Sequence, residues 1–182
     1  MKYYAVIDTN VLVSALLKSA SIPGIVARES LEGQIIPLLN DEIIAEYRAV
    51  LSRPKFKFSP EAVELIIDGL IHRGIFLDAA PTDEWVIDPK DVVFYEVVME
   101  ARKENDAYLV TGNIKHFPTK RFVVTPREML EILEMDGDYH RAVANVQQPY
   151  YCGKTQKIRN QRCPRFWGGG GRRGCWRCRS DT

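Results

Sequence analysis

The chain has 182 residues, of which 46% are hydrophobic and 27% are charged, and its formal net charge is +1. This length suits one globular domain with an appendage, and the composition is ordinary for a soluble protein with a hydrophobic core. The near-neutral total hides an asymmetry, because residues 1–144 carry a formal charge of −7 and residues 145–182 carry +8.

Membrane and secretory signals are absent from the sequence pattern. No apolar run approaches the ~18 residues of a membrane span. Asp8 and Asn10 interrupt the apolar stretch that would otherwise resemble a signal peptide. All four cysteines lie within residues 145–182, so the larger part of the chain needs no disulfides. We therefore expect a cytoplasmic protein with no membrane partner.

The first apolar run, Tyr3 to Ile7, predicts a buried strand that ends at Asp8. In open α/β sheets, ligands bind in the crevice outside the carboxyl ends of the strands. A carboxylate buried there needs a hydrogen bond, a charge partner or a metal ion. The alternative is that Asp8 only caps the following helix through its side-chain oxygen.

Helical and extended patterns alternate through the rest of residues 10–135. Helices are predicted over 10–19, 25–31, 41–51 and 60–74, and two more begin at Asp91 and after a capping box at Thr125. Strands are predicted at 35–39, 75–77, 108–111 and 122–124. Pro37 predicts an edge or terminal position for the second strand, because proline cannot donate to the ladder. This alternation predicts an α/β fold with a parallel sheet and helices on both faces.

Two further carboxylates stand at positions where they could join Asp8. Glu46 falls at the border of the apolar face of helix 41–51, although a surface glutamate packed on the rim is the simpler interpretation. Asp91 begins the helix before the fourth strand, where the helix dipole favours an anion and where aspartate is also a good N-cap. Asp88 is a looser candidate, and Asn113 follows the fourth strand.

A cluster of carboxylates requires a cation, because like charges repel. Oxygen ligands without histidine or cysteine suit Mg²⁺ or Mn²⁺. A pair of such ions can stabilise the attacking and leaving oxygens in phosphodiester hydrolysis. Spacing alone leaves open whether these carboxylates converge.

Four segments, in this order and at these separations, resemble the PIN domain family. They are residues 6–13, Glu46 with the following Arg53-Pro54-Lys55-Phe56, residues 88–94 and residues 108–118. The resemblance covers residues 3–135. Within the family it is strongest to the toxin components of toxin–antitoxin systems that are relatives of VapC.

The resemblance implies a three-layer α/β/α fold with a central parallel five-stranded sheet. It implies a metal-dependent endoribonuclease that cleaves single-stranded RNA, is the toxin of a type II pair, binds an antitoxin protein, and forms a homodimer. It places metal ligands at Asp8, Glu46 and Asp91, with Mg²⁺ or Mn²⁺ as the cofactor. The fourth family acid usually follows the threonine of strand four, and here that region has Asn113 instead. This departure implies a weaker second metal or a one-metal site.

Other residues near these motifs are candidates for weaker roles. Thr9 or Thr111 could orient a water or a ligand, Asn10 could hydrogen-bond within the site, and His116 could contact substrate or simply be solvated. Candidate phosphate contacts, which could equally form an ordinary solvated rim, are Arg53, Lys55, Lys57, Lys115, Lys120 and Arg121.

Two other functions compete with the nuclease. A catalytically weak or inactive PIN fold acting as an RNA- or partner-binding module is favoured by the missing fourth acid and opposed by the three that remain. A phosphatase or phosphoacceptor domain would use Asp8 as nucleophile. It is disfavoured because position 10 is Asn rather than Asp and because no lysine directly follows strand four.

We predict a domain boundary near residue 140, with a nuclease domain over 1–140 and an Arg/Gly/Cys-rich tail over 141–182. The tail lacks hydrophobic periodicity, which predicts disorder. Cys175 and Cys178 form half of a zinc-site pattern. Arginine, glycine and tryptophan together can bind single-stranded nucleic acid. The remaining alternative is a readthrough extension with no selected function.

Overall fold

The computed structural model describes residues 2–135. In this part the strands are β1 (Tyr3–Ile7), β2 (Ile35–Leu39), β3 (Ile75–Phe76), β4 (Ala107–Val110) and β5 (Val123–Val124). The helices are α1 (Thr9–Leu17), α2 (Ile22–Glu32), α3 (Asp41–Leu51), α4 (Pro60–Arg73), α5 (Val92–Ala101) and α6 (126–135). The predicted boundary near residue 140 and the tail over 141–182, with its cysteines, lie outside the described residues.

The five strands form one parallel sheet in the order β3-β2-β1-β4-β5. Helices flank the sheet, so the predicted three-layer α/β/α architecture is confirmed. β1 is central and pairs with β2 on one side and with β4 on the other. The strand order reverses between β1 and β4, and such a switch point is where open α/β sheets form their ligand crevice. Ile7 pairs with Val110 at this point, so Asp8 and Thr111 both follow directly from adjacent strand ends.

The prediction of an edge position for β2 was wrong, because β2 lies between β1 and β3. Pro37 is tolerated there because β3 is short. β3 pairs only with Leu38 and Leu39, so Pro37 precedes the point at which pairing begins on that side. All five residues of β2 are buried. The lost backbone donor is therefore accommodated by the length of the neighbouring strand and not by an open edge.

α2 begins three residues earlier than predicted. Ser21 caps it by accepting a hydrogen bond from the Gly24 N–H at 3.3 Å. Pro23 lies in the first turn, where a helix needs no donor from it, so it does not interrupt the helix. Gly33 ends α2 with a φ of 87°, a left-handed conformation that glycine adopts without strain.

α1 is strongly apolar and packs against α2, which in turn packs against β2. Val11, Leu12, Val26 and Ala27 are buried in the common core. Within residues 2–135 no single helix is long and apolar enough to cross a membrane. α1 and α2 reach that length and composition only when taken together, across a bend of 105°.

Candidate active site

An open depression of about 450 Å³ lies where β1 and β4 end. The four predicted site residues, Asp8, Glu46, Asp91 and Asn113, all line it. They come from the end of β1, from α3, from the start of α5 and from the turn after β4. Asp88, the looser candidate of the sequence, adds a fourth carboxylate to the same wall. The structure thus brings together side chains that the sequence separates by more than a hundred positions.

Asp8 is the most enclosed of these carboxylates and is only 4% exposed. Its Oδ1 accepts the Asn10 N–H at 3.2 Å, which caps α1. Its Oδ2 accepts the Thr111 hydroxyl at 2.6 Å and the Asn10 side-chain amide at 2.5 Å. Helix capping and a place in the pocket are therefore not alternatives, because Asp8 has both.

The pKa of Asp8 lies above its ordinary value of 3.8. Burial is the main cause, and the nearby charge of Asp91 acts in the same direction. The hydrogen bonds from Thr111 and Asn10 act against burial and lower the pKa, but they do not cancel it. The ionised form of Asp8 thus carries a free-energy cost that a cation in the depression would offset.

The turn after β4 is fixed to the start of α1 by the side chain of Asn10. Its Oδ1 accepts the Gly112 N–H at 2.9 Å while its amide group donates to Asp8. A Cβ atom on Gly112 would lie only 3.0 Å from that Oδ1, so the close approach favours glycine. Thr111 donates to Asp8 and accepts the Asn113 N–H at 2.9 Å. Asn10 and Thr111 therefore position Asp8 and the backbone of Asn113.

Glu46 is half-buried on α3. The next residue, Tyr47, joins α3 to the end of β1. Tyr47 is fully buried, and its hydroxyl donates a hydrogen bond to the backbone carbonyl of Ile7. Burial, with a smaller contribution from the charge of Asp8, raises the pKa of Tyr47, so the phenol stays protonated. α3 is thereby joined to the residue that precedes Asp8, and Glu46 on the same helix lines the depression with Asp8.

Asp91 occupies the N-cap position of α5, but its side chain makes no capping hydrogen bond. Its Oδ2 instead lies 3.0 Å from Nδ1 of His116. His116 ends the single 3₁₀ turn Ile114–His116 that follows β4. The capping interpretation of Asp91 is thus not what the structure shows, and His116 contacts a carboxylate rather than solvent alone.

Two observations bear on whether a divalent cation fits this depression: the chemistry of the donor atoms and one buried hydroxyl group without a partner. Within residues 2–135 no group of three or more His, Cys, Asp and Glu side chains is close enough to hold a metal ion as it stands. The donors are nevertheless carboxylate oxygens, which suit a hard cation. Thr9 is 6% exposed and lines the depression, and its Oγ1 has no hydrogen-bond partner among the described residues. An unpaired buried hydroxyl costs about 1–3 kcal/mol, so this atom favours a bound ligand.

Positive charge reaches the depression at two points, Arg53 and Lys90. Of the predicted phosphate contacts, only Arg53 is among the residues that line the depression. Among the others, Lys55 places its Nζ 4.7 Å from the ring centre of Phe56. Lys120 Nζ pairs with Glu84 Oε1 at 2.7 Å. Lys90 was missed by the sequence interpretation. Its position between Asp88 and Asp91 was the available signal, since a residue flanked by two pocket carboxylates lies near the pocket itself.

The comparisons with known proteins agree with this geometry at the level of the family. A family model described as PIN domain matches residues 4–115, which is more than half of the chain. No curated protein and no solved structure matches the chain. The matched segment begins at the second residue of β1, extends past β4 and contains Asp8, Glu46, Asp91 and Asn113. The chain therefore belongs to the PIN domain family, whose members are generally nucleases.

Proposed function

We propose that this chain is a metal-dependent endoribonuclease that hydrolyses phosphodiester bonds of single-stranded RNA with Mg²⁺ or Mn²⁺. The observation that carries the proposal is the convergence of Asp8, Glu46, Asp88 and Asp91 on one open depression at the switch point of the sheet. An open depression of this kind admits a polymer strand. The raised pKa of Asp8 supports the same conclusion, because burial makes its ionised form costly and a bound cation would offset that cost.

Asp8, Glu46 and Asp91 would hold the metal, and when bound it would supply Lewis-acid stabilisation of phosphate charge and an activated water. Asn10 and Thr111 keep the Asp8 carboxylate in place through their hydrogen bonds. The unpaired hydroxyl of Thr9 donates to an oxygen of the bound ligand.

Arg53 and Lys90 face the phosphate from the rim of the depression, and such contacts give affinity without sequence information. Asn113 offers an amide oxygen where a further carboxylate would have raised the negative charge. With one charge fewer at this position, we expect that one metal ion is bound more tightly than a second.

A metal-dependence test separates the nuclease from a catalytically weak or inactive fold that only binds RNA or a partner. The full chain is incubated with a fluorogenic single-stranded RNA in Mg²⁺, in Mn²⁺ and in EDTA, beside Asp8→Asn. Cleavage that needs the metal and is lost in Asp8→Asn supports the nuclease. A folded wild-type protein that cleaves in neither metal would favour the binding module. That result would agree with the finding that no three His, Cys, Asp or Glu side chains among the described residues are close enough to hold a metal ion.

We also propose that the chain is the toxin of a type II toxin–antitoxin pair, acts in the cytoplasm and is inhibited by an antitoxin protein. Membership of the PIN domain family supports this, together with the resemblance to toxin components. Expression of the wild-type chain should then arrest bacterial growth, and Asp8→Asn should not. Growth arrest by both forms would show that toxicity does not come from the depression.

A further inference from the structure

Trp85 is the most exposed large apolar side chain in the part of the chain that the structure describes, with 83% of its surface accessible. No ring or cation contact of its indole occurs within residues 2–135. Its neighbour Val86 is 6% exposed, and Ile87 is 58% exposed. The segment thus turns Val86 into the core and leaves Trp85 and Ile87 outside. An indole exposed to this degree gives up a large hydrophobic gain unless it has a ligand.

The residues on both sides of Trp85 make contacts with other parts of the chain, although the segment is irregular. Before it, Glu84 Oε1 pairs with Lys120 Nζ at 2.7 Å, and the Glu84 N–H donates to Thr82 Oγ1 at 3.2 Å. After it, the Ile87 N–H donates to the carbonyl of His116 at 3.0 Å. Trp85 is therefore held between two contacts to the segment that follows β4, and that segment also carries His116.

Trp85 also lies close to the candidate active site. Asp88, which lines the depression, is three positions further along the chain, and three Cα-to-Cα steps span at most about 11 Å when fully extended. The same short segment is hydrogen-bonded to His116, whose side chain contacts Asp91. Trp85 does not itself line the depression, so the indole would contact a part of the RNA strand that extends beyond it along this segment.

We propose that Trp85 is a stacking platform for an unpaired base of single-stranded RNA, next to the phosphate bound in the depression. The proposal rests on the proposed RNA substrate and names how that substrate is held. Single-stranded RNA presents unstacked bases, and an exposed aromatic ring binds them with little regard for sequence. Lys90 in the depression, with Lys115 and Arg121 exposed on the segment after β4, supplies positive charge for the phosphates on either side.

A protein partner fits this surface less well. Trp85 and Ile87 are two side chains, and even a tryptophan contributes only about 150–250 Å². A stable protein interface buries about 800 Å² on each partner. Within residues 2–135 the other strongly exposed apolar side chains stand on other elements, such as Leu17 on α1 and Leu65 on α4. The size of the surface matches one nucleobase.

The test uses the full chain with Trp167→Phe and Trp176→Phe, which leaves Trp85 as the single tryptophan. A short single-stranded RNA of mixed sequence is added in EDTA, where no metal-dependent cleavage occurs. We expect quenching of the Trp85 fluorescence, and we expect none with a blunt double-stranded RNA because its bases are stacked internally. In the otherwise wild-type chain, Trp85→Ala should weaken binding of the single strand about 5- to 150-fold.

Two further variants complete the test. Trp85→Phe should recover most of the affinity, because it retains an aromatic ring, and Leu65→Ala should bind like the wild type, because Leu65 is exposed on a different helix. In the cleavage assay Trp85→Ala should raise KM and leave kcat within a few-fold.

Unchanged RNA affinity and KM in Trp85→Ala, or no quenching by single-stranded RNA, would overturn the inference and leave a protein as the ligand of this surface. Quenching by RNA in a chain that cleaves in no metal would overturn the nuclease and keep the stacking platform.

Discussion

Nδ1 of His116 lies 3.0 Å from Oδ2 of Asp91, and this pair joins the turn after β4 to the first turn of α5. The two residues are 25 positions apart, and both line the depression. Asp91 makes no capping hydrogen bond, so His116 is the contact that orients its carboxylate. Mutation of a residue that hydrogen-bonds to a metal ligand and orients it typically costs about 10- to 100-fold in metal affinity or activity.

His116→Ala should therefore lower Mn²⁺ affinity or metal-dependent cleavage about 10- to 100-fold. Isothermal titration with Mn²⁺ and the metal dependence of the cleavage rate would measure both. His116→Asn, which retains a side-chain donor, should recover part of the loss. His72→Ala, at an exposed histidine of α4, is the matched control. Equal metal affinity in His116→Ala and the wild type would show that the contact with Asp91 has no role in metal binding.

The raised pKa of Asp8 predicts how stability changes with pH in the metal-free protein. In the folded protein Asp8 keeps its proton to a higher pH than in the unfolded chain, where its pKa has the ordinary value of 3.8. The contribution of Asp8 to the stability of the wild type is therefore lost as the pH rises from about 3.8 through the raised pKa. Asp8→Asn cannot titrate at this position. Its free energy of unfolding, relative to the wild type, should increase across this window.

Urea unfolding of both proteins in EDTA at several pH values measures that difference. The slope with pH is the informative quantity, because the introduced amide also changes the hydrogen bonds with Thr111 and Asn10 by an amount that is independent of pH. A difference that stays constant, or that falls as the pH rises, would contradict the raised pKa of Asp8.

Tyr47→Phe tests how α3 is held against the end of β1. The variant removes the hydroxyl that donates to the Ile7 carbonyl and leaves that buried acceptor without this partner. We expect a loss of about 1–2 kcal/mol in the free energy of unfolding. Because Glu46 is carried by the same helix, cleavage should also fall. Urea denaturation and the cleavage assay measure these effects, with Tyr4→Phe, at a half-buried tyrosine of β1, as the control. Unchanged stability would mean that packing alone positions α3.

The Asn113→Asp variant tests whether metal binding in the depression is limited by the carboxylate that is missing at this position. The added carboxylate would face Asp8, Asp88 and Asp91 across the same depression. Like charges repel, so we expect a lower Tm in EDTA than in the wild type. A tighter metal site should then give a larger rise in Tm on adding Mn²⁺. Thermal unfolding with and without Mn²⁺ measures both, and Asn105→Asp on an exposed turn is the control. A smaller metal-induced rise in Asn113→Asp would place this residue outside the metal site.

Much of the site could be predicted from the sequence because its position follows from local patterns. The apolar run that ends at Asp8 and the one that ends before Thr111 are both strand signals. In a parallel sheet the carboxyl ends of the strands lie at the same edge, so Asp8 and Thr111 were expected to lie close to each other. Glu46 followed from helical periodicity in the same way.

The rest depends on contacts between segments that are distant in the sequence. The tolerance of Pro37 inside the sheet depends on the short length of β3, which has only two residues. The contact of His116 with Asp91 and that of Tyr47 with Ile7 arise from packing and have no periodic signal. Lys90 and Trp85 lie on an irregular segment whose course is set by hydrogen bonds to Thr82, His116 and Lys120.

The most direct test of the proposed function is the metal-dependent cleavage rate of a single-stranded RNA by the full chain carrying Asp91→Asn. The control is Asp68→Asn, at an exposed position of α4 that is not part of the depression. Circular dichroism would verify that both variants fold. We predict that Asp91→Asn abolishes cleavage in Mn²⁺ while Asp68→Asn cleaves like the wild type. Full cleavage by a folded Asp91→Asn variant would contradict a nuclease site built on these carboxylates.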